Sequence, residues 1–432
     1  MTPTSTNQTQ GLSLDYWKYW TGQFISNLGN SFTIFGLPLL IFILTGSALQ
    51  LGIATAISMV PTLLFGLIAG ALIDRFDRRV ILILSNLLQG VAIATIPLFN
   101  MLHLLTIGWI YIVMFLMSLG MAFFHAAQFS AIPALVSSDS LEAANARIQT
   151  SISVTTIGGP ILAGLLISII PITSLFFVDA MSFLVAILSL IMIKRSFNLD
   201  AASTEKLDIQ AVIKDIRDGL IYAWKHQLLR GLFIMLMLSN FFFIIPQMQM
   251  LFFAEKALNL TPAQIGILFA SEGVGVLIMT FCVKLINTRF TFRALILGSQ
   301  IVEGVLLIIM SAWHQFWIAI FLWAAINALV VLINLNITSL EQRIVPNALL
   351  GRIASVEMVL SWCFMPLGML AGGAAITATN HIDWVFSICG IALLSIPLPF
   401  FFTNFGRLTP PQKDTAEETE VSYNDPVVEL SD

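Results

Sequence analysis

The sequence predicts an all-α polytopic membrane protein whose twelve transmembrane helices form two pseudo-symmetric bundles of six. Three observations carry that prediction. Hydrophobic residues fill 58% of the 432 positions and charged residues only 10%, against about 25% charged in an ordinary soluble domain. Twelve apolar stretches each reach the roughly 20 residues that cross about 30 Å of hydrocarbon. When these are threaded in turn, nineteen of the 20 Lys and Arg residues fall on one side and Lys256 alone on the other. That bias marks the basic side as cytoplasmic, and an even number of crossings brings both chain ends to it.

The expected spans are 20–44, 51–73, 80–98, 109–132, 152–170, 175–193, 232–253, 265–285, 294–312, 317–337, 356–377 and 384–402. Residues 1–19 form a short cytoplasmic segment. Its first fourteen residues hold no base and the apolar span after it is long, unlike a cleavable signal; Trp17, Tyr19 and Trp20 read as an interfacial anchor. The first bundle covers 20–193 and the second 231–404. Between them the linker 194–230 carries Ile209, Val212, Ile213, Ile216, Leu220 and Trp224 at three- and four-residue steps opposite charged residues, the pattern of a helix lying on a membrane face or against a partner. Residues 405–432 form an acidic tail too poor in apolar residues to order itself; it supplies most of the net charge of -4, which therefore says nothing about cargo. Cys282, Cys363 and Cys389 lie singly in apolar spans and read as packing residues. No metal, cofactor or nucleic-acid partner is expected.

The two halves share a weak repeat. Arg147-Ile148 after the fourth span matches Arg352-Ile353 after the tenth, and Pro160 in the fifth matches Pro366 in the eleventh, at offsets of 205 and 206. Duplication of a six-helix unit would leave this trace.

Between spans two and three the chain reads GALIDRFDRR, from Gly70 to Arg79. A carboxylate at a helix end followed by several guanidinium groups can pair with them and with the positive end of a neighbouring helix, each contact contributing about 0.3–1 kcal/mol; the same bases also serve simply to orient the chain. The stretch resembles the G-x-x-x-D-R-x-G-R-R/K signature of the major facilitator superfamily, with Gly70, Asp74, Arg75, Arg78 and Arg79 matching. Asp77 replaces the signature's second glycine, and Asp enters left-handed backbone less readily. The stretches GMAFFHAAQFSAIPALV (120–136), FFVDAMSFL (176–184) and EQRIVPNALLGRIASV (341–356) are similar to the bacterial macrolide-efflux and enterobactin-exporter branch. Gly159, Pro160 and Gly164 resemble the antiporter motif G-P-x-x-G-G, with Ala163 replacing one glycine; small residues here permit close helix approach and a bend. The resemblance implies the major facilitator fold, a gating latch at Gly70, Asp74, Arg75, Arg78 and Arg79, and a multi-pass protein of the bacterial cytoplasmic membrane.

Three carboxylates lie inside spans. A charged acid at mid-bilayer costs about 2.5–3.5 kcal/mol, so it is retained where it faces a cavity or takes up a proton. Glu272 and Glu303 sit near mid-span and, with Asp179 nearer the outer side, are the proton-coupling candidates; each could instead be a hydrogen-bonded structural group. Neutral polar residues collect in spans one, four, seven and ten. Asn27, Asn30, His125, Gln128, Asn240, Gln247, Asn327 and Asn334 are the substrate-cavity candidates, with interhelical hydrogen bonding as the competing role. Because those four spans line the central cavity of the superfamily, the resemblance implies that these residues face cargo. Relatives of that branch often carry an acid at the Asn30 position, so their first-span proton site is missing here. The expected function is proton-driven export of amphipathic hydrophobic compounds, macrolide-like drugs first, by a monomer that alternates access between its halves. Siderophore export on the same fold and substrate uptake remain alternatives. The spans hold no P-loop for ATP drive and no H-E-x-x-H or G-x-S-x-G signature of an enzyme.

Overall fold

The computed structural model describes residues 12–73, 76–137, 140–195, 197, 217, 220–345 and 349–402. Twelve helices follow one another: α1 Leu14–Thr45, α2 Ala48–Ile73, α3 Arg78–Met101, α4 Ile107–Leu135, α5 Leu141–Ile167, α6 Ile172–Met192, α7 Gln227–Lys256, α8 Pro262–Asn287, α9 Ser299–Ala312, α10 Phe316–Ile344, α11 Leu350–Thr379 and α12 Ile382–Ser395. A π turn, Ala294–Gly298, extends α9 backwards, and a 3₁₀ turn, Leu398–Phe402, follows α12. Among the described residues there is no strand. Eleven of these segments are long and apolar enough to cross a membrane, and α11 adds the shorter apolar stretch Phe364–Thr379.

Helix ends follow local chemistry. Ser13 caps α1, its hydroxyl accepting from Tyr16 N. Thr106 caps α4 in the same way. Thr261 and Gln264 close a capping box on α8 with Pro262 at the first turn, where proline loses no helical hydrogen bond. α1 ends at Gly46, whose φ of 57° is left-handed and whose N–H donates to Phe42 O; glycine occupies that region without strain.

Helix partners repeat between the halves. α1 packs on α6 and α5, α2 on α4, and α3 on α4 and α6; in the second half α7 packs on α12 and α11, α8 on α10, and α9 on α10 and α12. The α1–α6 contact is a small-residue seam at seven-residue steps. A Cβ at Gly22 would stand 2.0 Å from Ser189 Oγ, one at Gly29 2.2 Å from Ser182 Oγ, and one at Gly36 3.2 Å from Phe176. Backbones approach this closely only where side chains vanish.

Two cross-pairs join the halves, α5 with α8 and α2 with α11. The close contacts made by their described glycines lie away from the basic face. There one buried apolar core runs across both halves, from Phe32, Phe35 and Leu51 to Ile245, Leu268 and Met369. Toward the basic face the core splits into one cluster built from the first half, around Tyr16, Leu82 and Leu135, and another from the second, around Leu229, Leu236 and Leu340. Among the described residues the buried core is thus continuous across the halves at the face opposite the bases and divided by half at the basic face.

The linker is helical over Leu220–Lys225. Ile209, Val212, Ile213 and Ile216 of the expected amphipathic helix, and the acidic tail, lie outside the described residues. Cys282 and Cys389 are free thiols, half-buried and buried respectively; the side chain of Cys363 lies outside the described ones.

Candidate functional site

Asn27 and Asn30 on α1, Gln128 on α4 and Asn240 and Gln247 on α7 are half-buried, while His125 on α4 and Asn334 on α10 are exposed. Asn327 differs: it is buried and donates to Trp323 O at 3.0 Å, so its amide braces the tryptophan. Other polar groups in these spans are also spent on packing. Gln89 donates to Ser85 O, Asn336 to Leu332 O and Asn287 Oδ1, and Gln249 to Ala48 O across the halves.

The three acids occupy different settings. Glu272 is half-buried on α8 and accepts from Gln247 Nε2 at 3.2 Å on both carboxyl oxygens. The buried Trp323 lies near the same carboxyl, and its indole N–H has no hydrogen-bond partner among the described residues. One turn along α8, Phe269 meets Phe35 of α1 edge-on with ring centroids 5.8 Å apart. The next residue, Gly273, packs on Ile157 of α5, where a Cβ would come 2.5 Å from Cγ1. Glu272 therefore stands beside the contact between the halves.

Asp179 is fully buried at the α1–α6 seam. It accepts from Thr33 Oγ1 and, at 3.1 Å, from Ser182 Oγ, and it faces the backbone of Gly29. Glu303 is 3% exposed on α9. It shares that helix's buried face with Gln300, which donates to Ser239 of α7. The structure brings Glu272, Gln247 and Trp323 together and holds Asp179 and Glu303 apart from them, inside their own bundles.

Of the expected latch, Asp74 and Arg75 lie outside the described residues, as does the side-chain setting of Gly70. Asp77 adopts φ -62°, so the position makes no demand for glycine; its carboxylate caps α3 by accepting from Arg79 N at 2.8 Å. Asp77→Ala is expected to cost about 1 kcal/mol and Asp77→Gly only a few tenths, read as a lower thermal midpoint in detergent for the alanine variant alone. Arg78 donates to Ser130 O at 3.0 Å and Phe197 O at 3.3 Å. Arg79 donates to Leu190 O at 2.9 Å and lies over the Phe197 ring. Both guanidiniums thus hold carbonyls near the ends of α4 and α6, where a helix dipole favours positive charge. Asp15 joins the same end by accepting from Lys194 N, Arg195 N and Lys18 Nζ.

Gly159, Pro160 and Gly164 sit on the α1- and α8-facing surface of α5. A Cβ at Gly159 would meet Ser31 Oγ at 2.0 Å and one at Gly164 would meet Pro262 O at 2.4 Å, while Pro160 O lies 2.3 Å from the Cβ position of Gly266. Sequence reasoning missed the matching surfaces. Gly266 and Gly273 on α8, and Gly52 and Gly373 on the α2–α11 pair, meet backbone or side chains of the other half at similar distances. The seven-residue spacing of Gly266 and Gly273 was the available signal. Lys256, the base expected on the opposite side, also acts here: its ammonium lies 5.5 Å from the Phe42 ring, and Phe42 meets Phe252 edge-on.

A family model described as "Transmembrane secretion effector" matches residues 14–431. The chain belongs to that family, a branch of the major facilitator superfamily. Macrolide efflux protein A of Streptococcus pyogenes is 25% identical over 390 residues, 89% of this chain and 95% of its own length. The multidrug efflux pump Tap of Mycolicibacterium fortuitum is 25% identical over 381 residues, 86% of this chain and 92% of its own. Among solved structures, a bacterial homologue of the iron transporter ferroportin in its inward-facing state covers 89% of this chain and 100% of its own, with TM-score 0.69 and 16% identity. The nucleoside transporter NupG covers 90% and 98% with TM-score 0.70 and 12% identity. These superpositions establish the twelve-helix fold of the superfamily. With a secretion-effector model over nearly its whole length, this member is a multi-pass transporter of the efflux type.

Proposed function

We propose that this transporter exports amphipathic hydrophobic compounds of the macrolide type in exchange for protons, as a monomer in the bacterial cytoplasmic membrane with its basic face and both chain ends in the cytoplasm. The observation that carries the reading is the position of Glu272, half-buried inside α8, next to the contact between the halves at Gly273, and held by Gln247. Its relatives' names, macrolide and multidrug efflux, support the cargo class.

Glu272 works by competition. A carboxylate inside the bilayer is costly unless neutralised or solvated by a partner, so it alternates between a proton and the polar groups of bound cargo. Gln247 and the nearby Trp323 N–H are donors that suit the charged form. Cargo enters the cleft from the basic face and displaces the proton there; after the halves rock, the carboxylate takes a proton from the opposite face and cargo leaves. The apolar walls supplied by Phe242, Phe243 and Phe269, half-buried beside these amides, suit a large molecule with few polar groups.

Everted vesicles that carry the transporter should accumulate a labelled macrolide on energisation and lose it on addition of a protonophore. Accumulation indifferent to the protonophore would reject proton coupling. Loss of labelled macrolide from the vesicle lumen on energisation would reverse the direction, and accumulation of a ferric siderophore alone would change the cargo.

A further inference from the structure

At the basic face a pocket of about 670 Å³ opens between α7 and α11 beneath the end of the linker. It is lined by Phe233, Ile234 and Met237 of α7, by Leu360 and Phe364 of α11, and by Leu220, Ile221, Trp224 and Lys225 at the end of the linker. Further along the same two helices Gly368 meets Ile244 and Gly372 meets Ile245.

We propose that this pocket holds one acyl chain of an anionic phospholipid from the leaflet on the basic side, with the headgroup phosphate against Lys225. The lining is apolar throughout, and its one charged residue is a base. Arg230, exposed on the first turn of α7, lies one turn before Phe233 and Ile234 on the same face. Met237 lies about 15 Å along α7 from its first residue, so the pocket reaches from headgroup level to acyl-chain depth. Trp224 is 57% exposed beside Lys225, a position that suits an interfacial ring. Basic pockets between transmembrane helices at this face bind anionic headgroups, whereas a zwitterionic headgroup, whose ammonium offsets its phosphate, gains less from the base.

The test uses the full-length protein in nanodiscs of phosphatidylcholine doped with phosphatidylglycerol that carries a diazirine on one acyl chain. Cross-links should map to peptides containing Phe233–Met237 and Leu360–Phe364. Lys225→Gln should lower their yield about five-fold, the weight of one base near an anionic surface, and Lys225→Arg should restore it. Met237→Trp, which fills the pocket, should remove these cross-links while annular labelling elsewhere persists and reports an intact fold. Equal labelling by a phosphatidylcholine probe, or a yield untouched by both Lys225→Gln and Met237→Trp, would overturn the proposal. Displacement of the cross-link by erythromycin would also overturn it, since the pocket would then belong to cargo.

Discussion

Replacement of Glu272 by glutamine is expected to abolish energised accumulation of cargo while leaving the protein folded in the membrane. Glutamine keeps the shape and can accept one hydrogen bond from Gln247, whose amide now reaches both carboxylate oxygens at 3.2 Å. What it cannot do is exchange a proton. Each 100 mV of proton-motive force supplies about 2.3 kcal/mol per charge moved, equivalent to an accumulation ratio of about 50-fold. An uncoupled carrier can only equilibrate its cargo, so the variant should lose up to about that factor per proton at 100 mV. Counterflow without a gradient should persist, because the cleft and its amides remain. The measurement is uptake into everted vesicles at imposed pH gradients, with counterflow as the control. An E272Q variant that still responds to the gradient would move the coupling role to Asp179 or Glu303, each of which would need water access that its buried position does not offer.

Much of this arrangement was legible in the sequence, and the parts that were not have identifiable causes. Hydropathy located every crossing because a span must be apolar over the hydrocarbon slab, whatever its tertiary contacts. It misjudged helix ends because it measures the slab and not the helix. α5 was expected from 152 yet begins at Leu141, since its first turns carry Glu142, Arg147 and Gln149 and stand outside the apolar layer. The π turn at Ala294–Gly298 left no hydropathic mark. Polar residues were countable but their duties were not. Asn240 and Gln247 are half-buried on α7, Gln247 donating to Glu272, whereas Asn327 and Asn336, on the same kind of apolar helix, spend their amides on carbonyls one turn back. Composition cannot separate these cases, because the choice depends on which face a neighbouring helix covers. Likewise the three intramembrane acids looked alike until packing set Glu272 beside Gln247 and Trp323 and gave Asp179 to Thr33 and Ser182.

Gly266→Leu is expected to exclude the conformation described here and trap the transporter open at the face opposite the bases. A Cβ at position 266 would lie 2.3 Å from Pro160 O and 3.0 Å from its carbonyl carbon. That neighbour is backbone, so no rotamer change relieves the clash and α5 and α8 must separate. Gly164, whose Cβ would meet Pro262 O at 2.4 Å, shows that the same pair is tight from the other side as well. Overpacking of this kind costs about 1–3 kcal/mol, and the cost falls only on the state in which the two helices touch. The two access states of a transporter differ by a few kcal/mol, so the population should shift about 5- to 150-fold away from closure of that face. A bifunctional thiol reagent joining cysteines at positions 35 and 269, whose rings now sit 5.8 Å apart, reads the closed face directly in a background lacking the three native cysteines. Cross-linking should be efficient in the parent and fall to background with Gly266→Leu, with export lost in step. Gly158→Leu on α5, where a Cβ would meet nothing within 4 Å, should preserve both. If Gly266→Leu cross-links as well as the parent, then the α5–α8 seam yields without parting, and closure of the opposite face rests instead on the α2–α11 contact at Gly52 and Gly373.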